Sequence, residues 1–436
     1  MTKKKKPTPR LVVADAQGNI YDHPDLTMLV RRGGEFGPPR PDEIVSLPAE
    51  SDLFMLPARR AVGLDPVTGD VQVQEDFAVA AFACPGYTLS GLAAYVTDKG
   101  APRLPLFAYG AVGFENGRFW VCASRVDEDQ RQVFKNVPKD KIKRGAEAML
   151  KSYPDNRLVR HLATCALTYC CPAARNLALG RFECPLPTAR GCNARCLGCI
   201  SLQAKDSGFP STQNRITFTP TAAEIVEIMR HHAQREPRPI FSFGQGCEGE
   251  PLTEAAIIAE AVGLYRSSGG QGTVNVNTNA SLPQTMEPLA KAGLSSIRVS
   301  LNSARPTLYE AYYRPVGYTF ADVVETIAQA KRHGLFVSLN FLFFPGVSDS
   351  EAEVEALTAL VSEHKVDFIQ LRNLNLDPEL YMTIAAPFAQ GSGMGLANFR
   401  KRLKDACPWL RYGYFNPYLG GPADKDEEGE KVGKDE

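Results

Sequence analysis

The chain has 436 residues, long enough for two domains, and its apolar fraction of 44% is ordinary for a globular protein. Lysine plus arginine and aspartate plus glutamate both number 49, so no net field steers the chain toward nucleic acid or an anionic membrane. No apolar run reaches the roughly 18 residues that would suggest a membrane span. The cysteines number 11, too few for a disulfide-held miniprotein of this length, and their clustering favours metal binding in a reducing compartment, so a cytoplasmic location is expected.

Residues 1–10 carry a lysine run with no apolar stretch behind it, which reads as a basic disordered tail and not a signal peptide. Residues 11–137 read as a mostly β domain. Short strands are expected over 52–59, 71–75 and 104–112. A hairpin is expected over 114–121, because Asn116-Gly117 tolerates the positive φ angles of a tight turn. Cys84 and Cys122 read as small buried hydrophobes. The domain shows no catalytic motif; it could shield a site, present a substrate or bind a partner.

A connector follows over 138–181. A helix is expected over 138–153, opening on Pro138 with basic residues on one face, and a second short one from Asp155. Cys165, Cys170, Cys171 and Cys184 then lie close together in sequence. They could hold an auxiliary iron–sulfur cluster or zinc; buried thiols flanking the next domain are the plainer reading.

From Phe182 the pattern is strand, loop, helix, repeated, which implies βαβ units and a parallel sheet. Strands are expected over 182–189, 239–244, 273–278, 296–301, 335–343 and 368–374. Helices are expected over 221–234, 253–265, 282–292, 319–333 and 350–364. The fold class is therefore α/β, with a partial (β/α)6 TIM-like barrel over 182–377 and chemistry at the carboxyl ends of its strands. Residues 378–422 form a C-terminal extension. Its glycine run at 391–395 follows no strand and reads as a lid or connector, and a helix is expected over 396–406. Residues 423–436 read as an acidic disordered tail.

The stretch Gly191-Cys192-Asn193-Ala194-Arg195-Cys196-Leu197-Gly198-Cys199 places three thiols at Cys-x3-Cys-x2-Cys spacing. Three thiolates can hold three irons of a cubane and leave the fourth without a protein ligand, whereas a closed structural site takes four. The second strand leads into Gly249-Glu250-Pro251, where glycine lets backbone approach a ligand and a carboxylate can accept from an ammonium group. Glu248 is the second choice for that role; Cys247, close by, could meet a cluster or substrate, but an inert thiol is the plainer reading. The third strand ends in Asn277 and Asn279, which can serve a ligand or simply shape a turn. On the fourth, Arg298, Ser300 and Asn302 alternate with Ile297, Val299 and Leu301, so a polar stripe faces the lumen and needs partners. On the fifth, Asn340 shares the face of Ser338. On the sixth, Arg372 could clamp a carboxylate bidentately or make a structural ion pair.

These motifs together resemble the radical S-adenosylmethionine (SAM) superfamily over 182–377. The resemblance implies a 4Fe-4S cluster on Cys192, Cys196 and Cys199, with SAM chelating the open iron. It implies reductive cleavage of SAM to methionine and a 5′-deoxyadenosyl radical that takes hydrogen from a substrate. Glu250, with Gly249, would serve the SAM amino group, and Asn277, Ser300, Asn302, Asn340 and Arg372 become SAM or substrate contacts. One position departs from the family, which often has an aromatic residue just before the third cysteine; here it is Gly198. A reductase or flavodoxin-like electron donor and a small-molecule or peptide substrate are implied. Other readings are an activase placing a radical on a partner protein, RNA modification through the lysine-rich start, and a non-catalytic iron–sulfur or zinc-binding protein. The C-terminal part has only Cys407, which argues against a multi-cysteine cluster domain there.

Overall fold

The computed structural model describes residues 7–389 and 391–420. The expected tails lie outside the described residues over 1–6 and 423–436.

Between Arg10 and Arg125 the chain forms a twelve-stranded antiparallel sheet. Its longest strands, Asp52–Leu64 and Val71–Phe82, pair with each other. Both outrun the expected stretches. The first does so by absorbing Pro57 in an irregularity where Ala58 takes φ 56° and the register shifts. The hairpin forms as expected: Gly110–Glu115 pairs with Arg118–Arg125, and Asn116 and Gly117 take φ 53° and 74° at the turn. The strand expected from 104 begins only at Gly110. Leu104 instead donates its N–H to the Asp377 carboxylate at 2.7 Å, outside any ladder. Cys84 and Cys122 are buried, as expected.

Three helices follow, α1 (Lys139–Ser152), α2 (Arg157–Leu167) and α3 (Pro172–Leu179). The Asn156 side chain caps α2 by accepting from the Val159 N–H. The sequence reading missed α3; Pro172 opens it and Gly180, at φ 65°, closes it, the usual asymmetry of helix ends.

The second sheet runs β1 (Glu183–Pro185), β2 (Ile240–Phe243), β3 (Thr273–Thr278), β4 (Ser296–Leu301), β5 (Phe336–Phe343), β6 (Phe368–Asn373) and β7 (Arg411–Gly413). Each strand pairs in parallel with the next, so the sheet curves into an open half-barrel. All six expected strands are present and β7 adds a seventh. The connecting helices are α4 (Ala222–Ala233), α5 (Ala255–Ser267), α6 (Met286–Ala292), α7 (Pro306–Tyr313), α8 (Phe320–Arg332) and α9 (Glu351–His364). Beyond β6 lie α10 (Pro378–Ala385) and α11 (Leu396–Ala406). Val274, Val276, Ile297, Val299, Leu301, Val337 and Leu339 alternate along the strands and are buried toward the helices. β1 is shorter than expected because the N–H groups of Thr188 and Ala189 turn to the Glu248 carboxylate, at 2.7 and 2.8 Å, and leave the ladder.

Polar side chains close the floor of the lumen. Glu183 accepts from Ser242 and from Asn416, the latter at 2.8 Å. Asn416 in turn accepts from Gln370 at 2.8 Å, and Gln370 accepts from Arg298 at 3.0 Å. The glycine run near 391–395 is a pinned connector: Gly395 N–H donates to Asp349 at 2.7 Å, and Arg40 donates to the Gly393 carbonyl at 2.7 Å.

The antiparallel sheet docks on the barrel beside β6. Thr88 donates its hydroxyl to the Leu371 carbonyl at 2.9 Å, and Leu89 N–H donates to the Asn373 side chain at 2.7 Å. Arg59 meets Asp377 at 3.5 Å, both buried. One apolar core runs through both sheets, from Val12 and Val79 to Phe341 and Tyr381. Among the described residues, no helix is long and apolar enough to cross a membrane.

Candidate functional site

The loop after β1 carries Cys192, Cys196 and Cys199. It is held open by backbone bonds to a distant segment. Arg195 and Leu197 donate N–H groups to the carbonyls of Tyr313 and Tyr312, both at 3.0 Å, and Val316 N–H donates to Asn193 at 2.8 Å. The Gln203 amide ties its far end, donating to the carbonyls of Leu197 at 3.1 Å and Cys199 at 2.7 Å. All three thiols are free and at least partly accessible. They border one cavity of about 360 Å³ at the carboxyl ends of the strands. Arg215, which the sequence reading did not single out, reaches back across this loop. It donates to the Cys199 sulfur at 3.5 Å and to the Ser201 hydroxyl at 3.1 Å, placing a positive charge against one thiol.

The loop after β2 supplies the carboxylates. Glu250 is 3% exposed and accepts from the Thr278 hydroxyl at 2.5 Å, the Asn279 N–H at 2.8 Å and the Leu252 N–H at 3.0 Å. Burial pushes its carboxyl up to about 7, against the pull of these donors. Glu248 spends both oxygens on the N–H groups of Thr188, Ala189 and Gln245, so it is a strut between β1 and this loop. Gly249 has a packing role: a Cβ there would lie 1.7 Å from the Gly191 carbonyl oxygen. The Gly249 and Glu250 N–H groups bond the carbonyls of Ala189, at 2.6 Å, and Gly191, at 2.9 Å. The carboxylate loop and the cysteine loop are therefore bonded directly to each other through their backbones.

Of the remaining candidates, Asn277, Ser300 and Asn340 line the cavity. Asn277 is partly engaged, donating to the Gly244 carbonyl at 3.1 Å and accepting from Asn275 at 2.7 Å. Asn302 does not line it. Just past the end of β4, its amide turns toward the Tyr381 hydroxyl at 3.3 Å and the Leu308 carbonyl at 3.4 Å, beneath α7 and α10. Arg372 also lies off the cavity wall and stacks over the Tyr414 ring at 3.8 Å. The expected ion pair is not there: among the described residues neither Arg372 nor Arg298 has a carboxylate within 4.0 Å, the limit for a salt bridge. Arg298 does line the cavity, and burial with Arg372 nearby pushes its guanidinium down to about 9, still charged at neutral pH.

Tyr312, Tyr313, Asn373 and Asn375 complete the wall and were not foreseen as site residues. A Cβ on Gly198 would meet the Tyr312 hydroxyl at 2.4 Å, so a tyrosine from α7 fills the space beside the third cysteine. Asn373 is oriented from the antiparallel sheet, by the Leu89 N–H and the Tyr87 carbonyl at 3.2 Å.

Two tests bear on whether the wall suits a cluster with a polar ligand. The first is donor chemistry: three thiols on one loop, with a cation against one, match iron–sulfur ligation. The second is polar satisfaction. The Tyr313 hydroxyl, Arg298 Nε and Asn375 Oδ1 all belong to cavity-lining residues and have no protein partner. Buried polar atoms are rarely left so unless a ligand or water meets them. The residues present fit.

Comparison with known proteins agrees. Residues 186–357 match the model of the Radical SAM superfamily, whose members use a 4Fe-4S cluster and SAM. A GTP 3′,8-cyclase of Alkaliphilus metalliredigens is 28% identical over 181 residues, 41% of this chain and 53% of that protein. A GTP 3′,8-cyclase of Cyanothece sp. is 28% identical over 239 residues, 53% of this chain and 66% of that protein. The molybdenum cofactor biosynthesis protein 1 of Bos taurus is 30% identical over 162 residues, 37% of this chain and 24% of that protein. The chain thus spans about half the length of the first of these, and less of the last. Among solved structures, Streptococcus suis SuiB aligns at TM-score 0.38 and 13% identity, covering 73% of this chain and 72% of that one. The FeFe-hydrogenase maturase HydG of Carboxydothermus hydrogenoformans aligns at TM-score 0.34 and 12% identity, covering 63% and 75%. Residues 186–357 of this chain therefore form a domain of the radical SAM superfamily.

Proposed function

We propose that the chain is a radical SAM enzyme acting on a small-molecule or peptide substrate that carries an anionic group. Cys192, Cys196 and Cys199 would hold the 4Fe-4S cluster, which supplies the single electron for reductive cleavage of SAM. Glu250, braced by Thr278 and Asn279, would face the SAM ammonium. Tyr313, Ser300, Asn340 and Asn375 offer hydrogen bonds along the same wall. The protein's part is to orient the reacting groups and keep water out.

The observation that carries this reading is convergence. Three loops, from β1, β2 and β3, are cross-bonded so that the thiols, Glu250 and a polar wall share one cavity of about 360 Å³. Arg298 favours an anionic substrate: a charged guanidinium with an unpartnered Nε lies on that wall, and guanidinium suits planar carboxylate or phosphate. A second cavity, of about 670 Å³, borders Cys196 and Cys199 from the other side. Arg103, Arg195, Arg215 and Arg314 line it with Asp206 as its acid, which suits an acidic reductase or flavodoxin-like donor.

The test is anaerobic purification with iron and sulfide counting, then incubation with dithionite and SAM. Four irons per chain and release of 5′-deoxyadenosine are expected, both lost in the Cys192→Ala/Cys196→Ala/Cys199→Ala variant. A wild-type protein saturated with zinc at these thiols, or one that leaves SAM intact, would overturn the proposal. For the substrate class, Arg298→Gln should leave substrate-free SAM cleavage in place while weakening turnover of anionic substrates about tenfold or more.

A further inference from the structure

Cys247 follows the β2 strand but does not face the cavity. Its thiol is buried against α2 and α3, beside Cys165, Ala166 and Ala174. His161 and Cys165 are one helical turn apart on α2 and project from the same face. The ligand atoms of His161, Cys165 and Cys247 all lie within 4.8 Å of one another. The Cys165 sulfur is 3.5 Å from His161 Nε2. Phe218 packs edge-on to the imidazole at 6.5 Å. Among the described residues, no other three histidine, cysteine or acidic side chains converge in this way.

We propose that His161, Cys165 and Cys247 bind a single thiophilic divalent cation of the zinc class, which ties α2 to the loop carrying Glu248 and Glu250. Bond lengths of about 2.3 Å to sulfur and about 2.0 Å to nitrogen put tetrahedral ligands about 3.5 Å apart. The Cys165–His161 separation already has that value. Two thiolates and an imidazole are the donor set such an ion selects. A cubane places each thiolate on a different iron and so spreads its ligands; three atoms this close suit one ion. The fourth corner is open to water or to Cys171, which packs at the edge of the same cluster and whose N–H donates to the Cys165 carbonyl at 2.9 Å.

This corrects the four-thiol set suggested by sequence proximity. Cys170 is exposed, and Cys184 is buried in the main core on the strand that leads into the cysteine loop. The ion would sit one residue from the Glu248 strut and act on the site through the backbone. His161, Cys165 and Cys247 are therefore positioning residues. Metal binding by these three residues is independent of SAM chemistry.

The experiment uses the full chain with its iron and sulfide assembled, exposed to zinc, dialysed against a weak chelator and measured for all three elements. One zinc per chain is expected in wild type. In Cys165→Ala, and separately in His161→Ala, zinc retention should fall at least about tenfold while the iron and sulfide counts stay unchanged. Cobalt in place of zinc should give tetrahedral absorption with a thiolate charge-transfer band, absent in Cys247→Ser. Zinc retained equally by the variants would overturn the proposal. So would a wild-type protein with no zinc, or a Cys165–Cys247 disulfide in its peptide map.

Discussion

At the scale of single residues, Gly198 shows how a departure from a familiar motif can be compensated from elsewhere. The position beside the third cysteine has no side chain, and the Tyr312 hydroxyl lies 2.4 Å from where its Cβ would be. Restoring an aromatic residue with Gly198→Phe should therefore overpack a buried region and destabilise the protein by about 1–3 kcal/mol. Adding Tyr312→Gly should recover most of that loss, because the two side chains compete for one space. Denaturant unfolding of the two single variants and the double variant checks this. An unaltered midpoint for Gly198→Phe would show that Tyr312 does not hold that space. The sequence displayed the absence at Gly198 but not its cause. Tyr312 and Tyr313 arrive through a β-bridge between Ala194 and Pro315, a long-range pairing with no local signature. Arg215 reaches Cys199 in the same non-local way. Cys247 illustrates a different limit of sequence reading. It lies between the cavity-lining residues Gly246 and Glu248, yet its side chain points the other way.

At the scale of elements, the barrel strands were legible because their periodicity is strict. Ile297, Val299 and Leu301 face the helices while Arg298 and Ser300 face the lumen, as period two requires. That rule holds only while the strand lasts. β4 ends at Leu301, and Asn302, next in the polar series, leaves the lumen for Tyr381. The seventh strand escaped notice because Arg411–Gly413 is too short to show a period. It matters nonetheless, since it delivers Asn416 to the floor of the barrel. Asn416 donates to Glu183 at 2.8 Å and Ser242 at 3.2 Å, and accepts from Gln370 at 2.8 Å. Asn416→Leu keeps the volume but strands these buried partners, so a loss of about 1–3 kcal/mol is expected in urea unfolding. Gln370 is also the group that holds Arg298. The same variant should therefore loosen Arg298 and raise KM for an anionic substrate more than it lowers kcat. A variant as stable as wild type would mean that water replaces Asn416 without loss.

At the scale of the whole molecule, the antiparallel sheet helps to build the cavity wall, which composition alone did not reveal. It sets the cavity residue Asn373 through Leu89 and Tyr87, and it is joined to the barrel by a buried ion pair between Arg59 and Asp377. The two sides of that pair are unequal. Asp377 also caps α10 through the Glu379 N–H at 2.8 Å and takes the Leu104 N–H at 2.7 Å. Arg59 has as its other partner the Pro57 carbonyl, at 2.9 Å, and its Nε is unpartnered. Asp377→Ala leaves a buried guanidinium uncompensated and removes a helix cap, so a loss of about 3–5 kcal/mol is expected. Arg59→Met removes the charge that has fewest partners and leaves Asp377 with the N–H donors of Leu104, Glu379 and Leu380, so its loss should be clearly smaller. Unfolding of the two variants measures the difference, and hydrogen exchange locates it. Asp377→Ala should speed exchange at Leu89 and Leu104, whose N–H groups bond across the junction, while amides in β3 and β4 stay protected. Equal losses in both variants, or exchange unchanged at the junction, would show that the apolar contacts between the sheets hold them together without help from this pair.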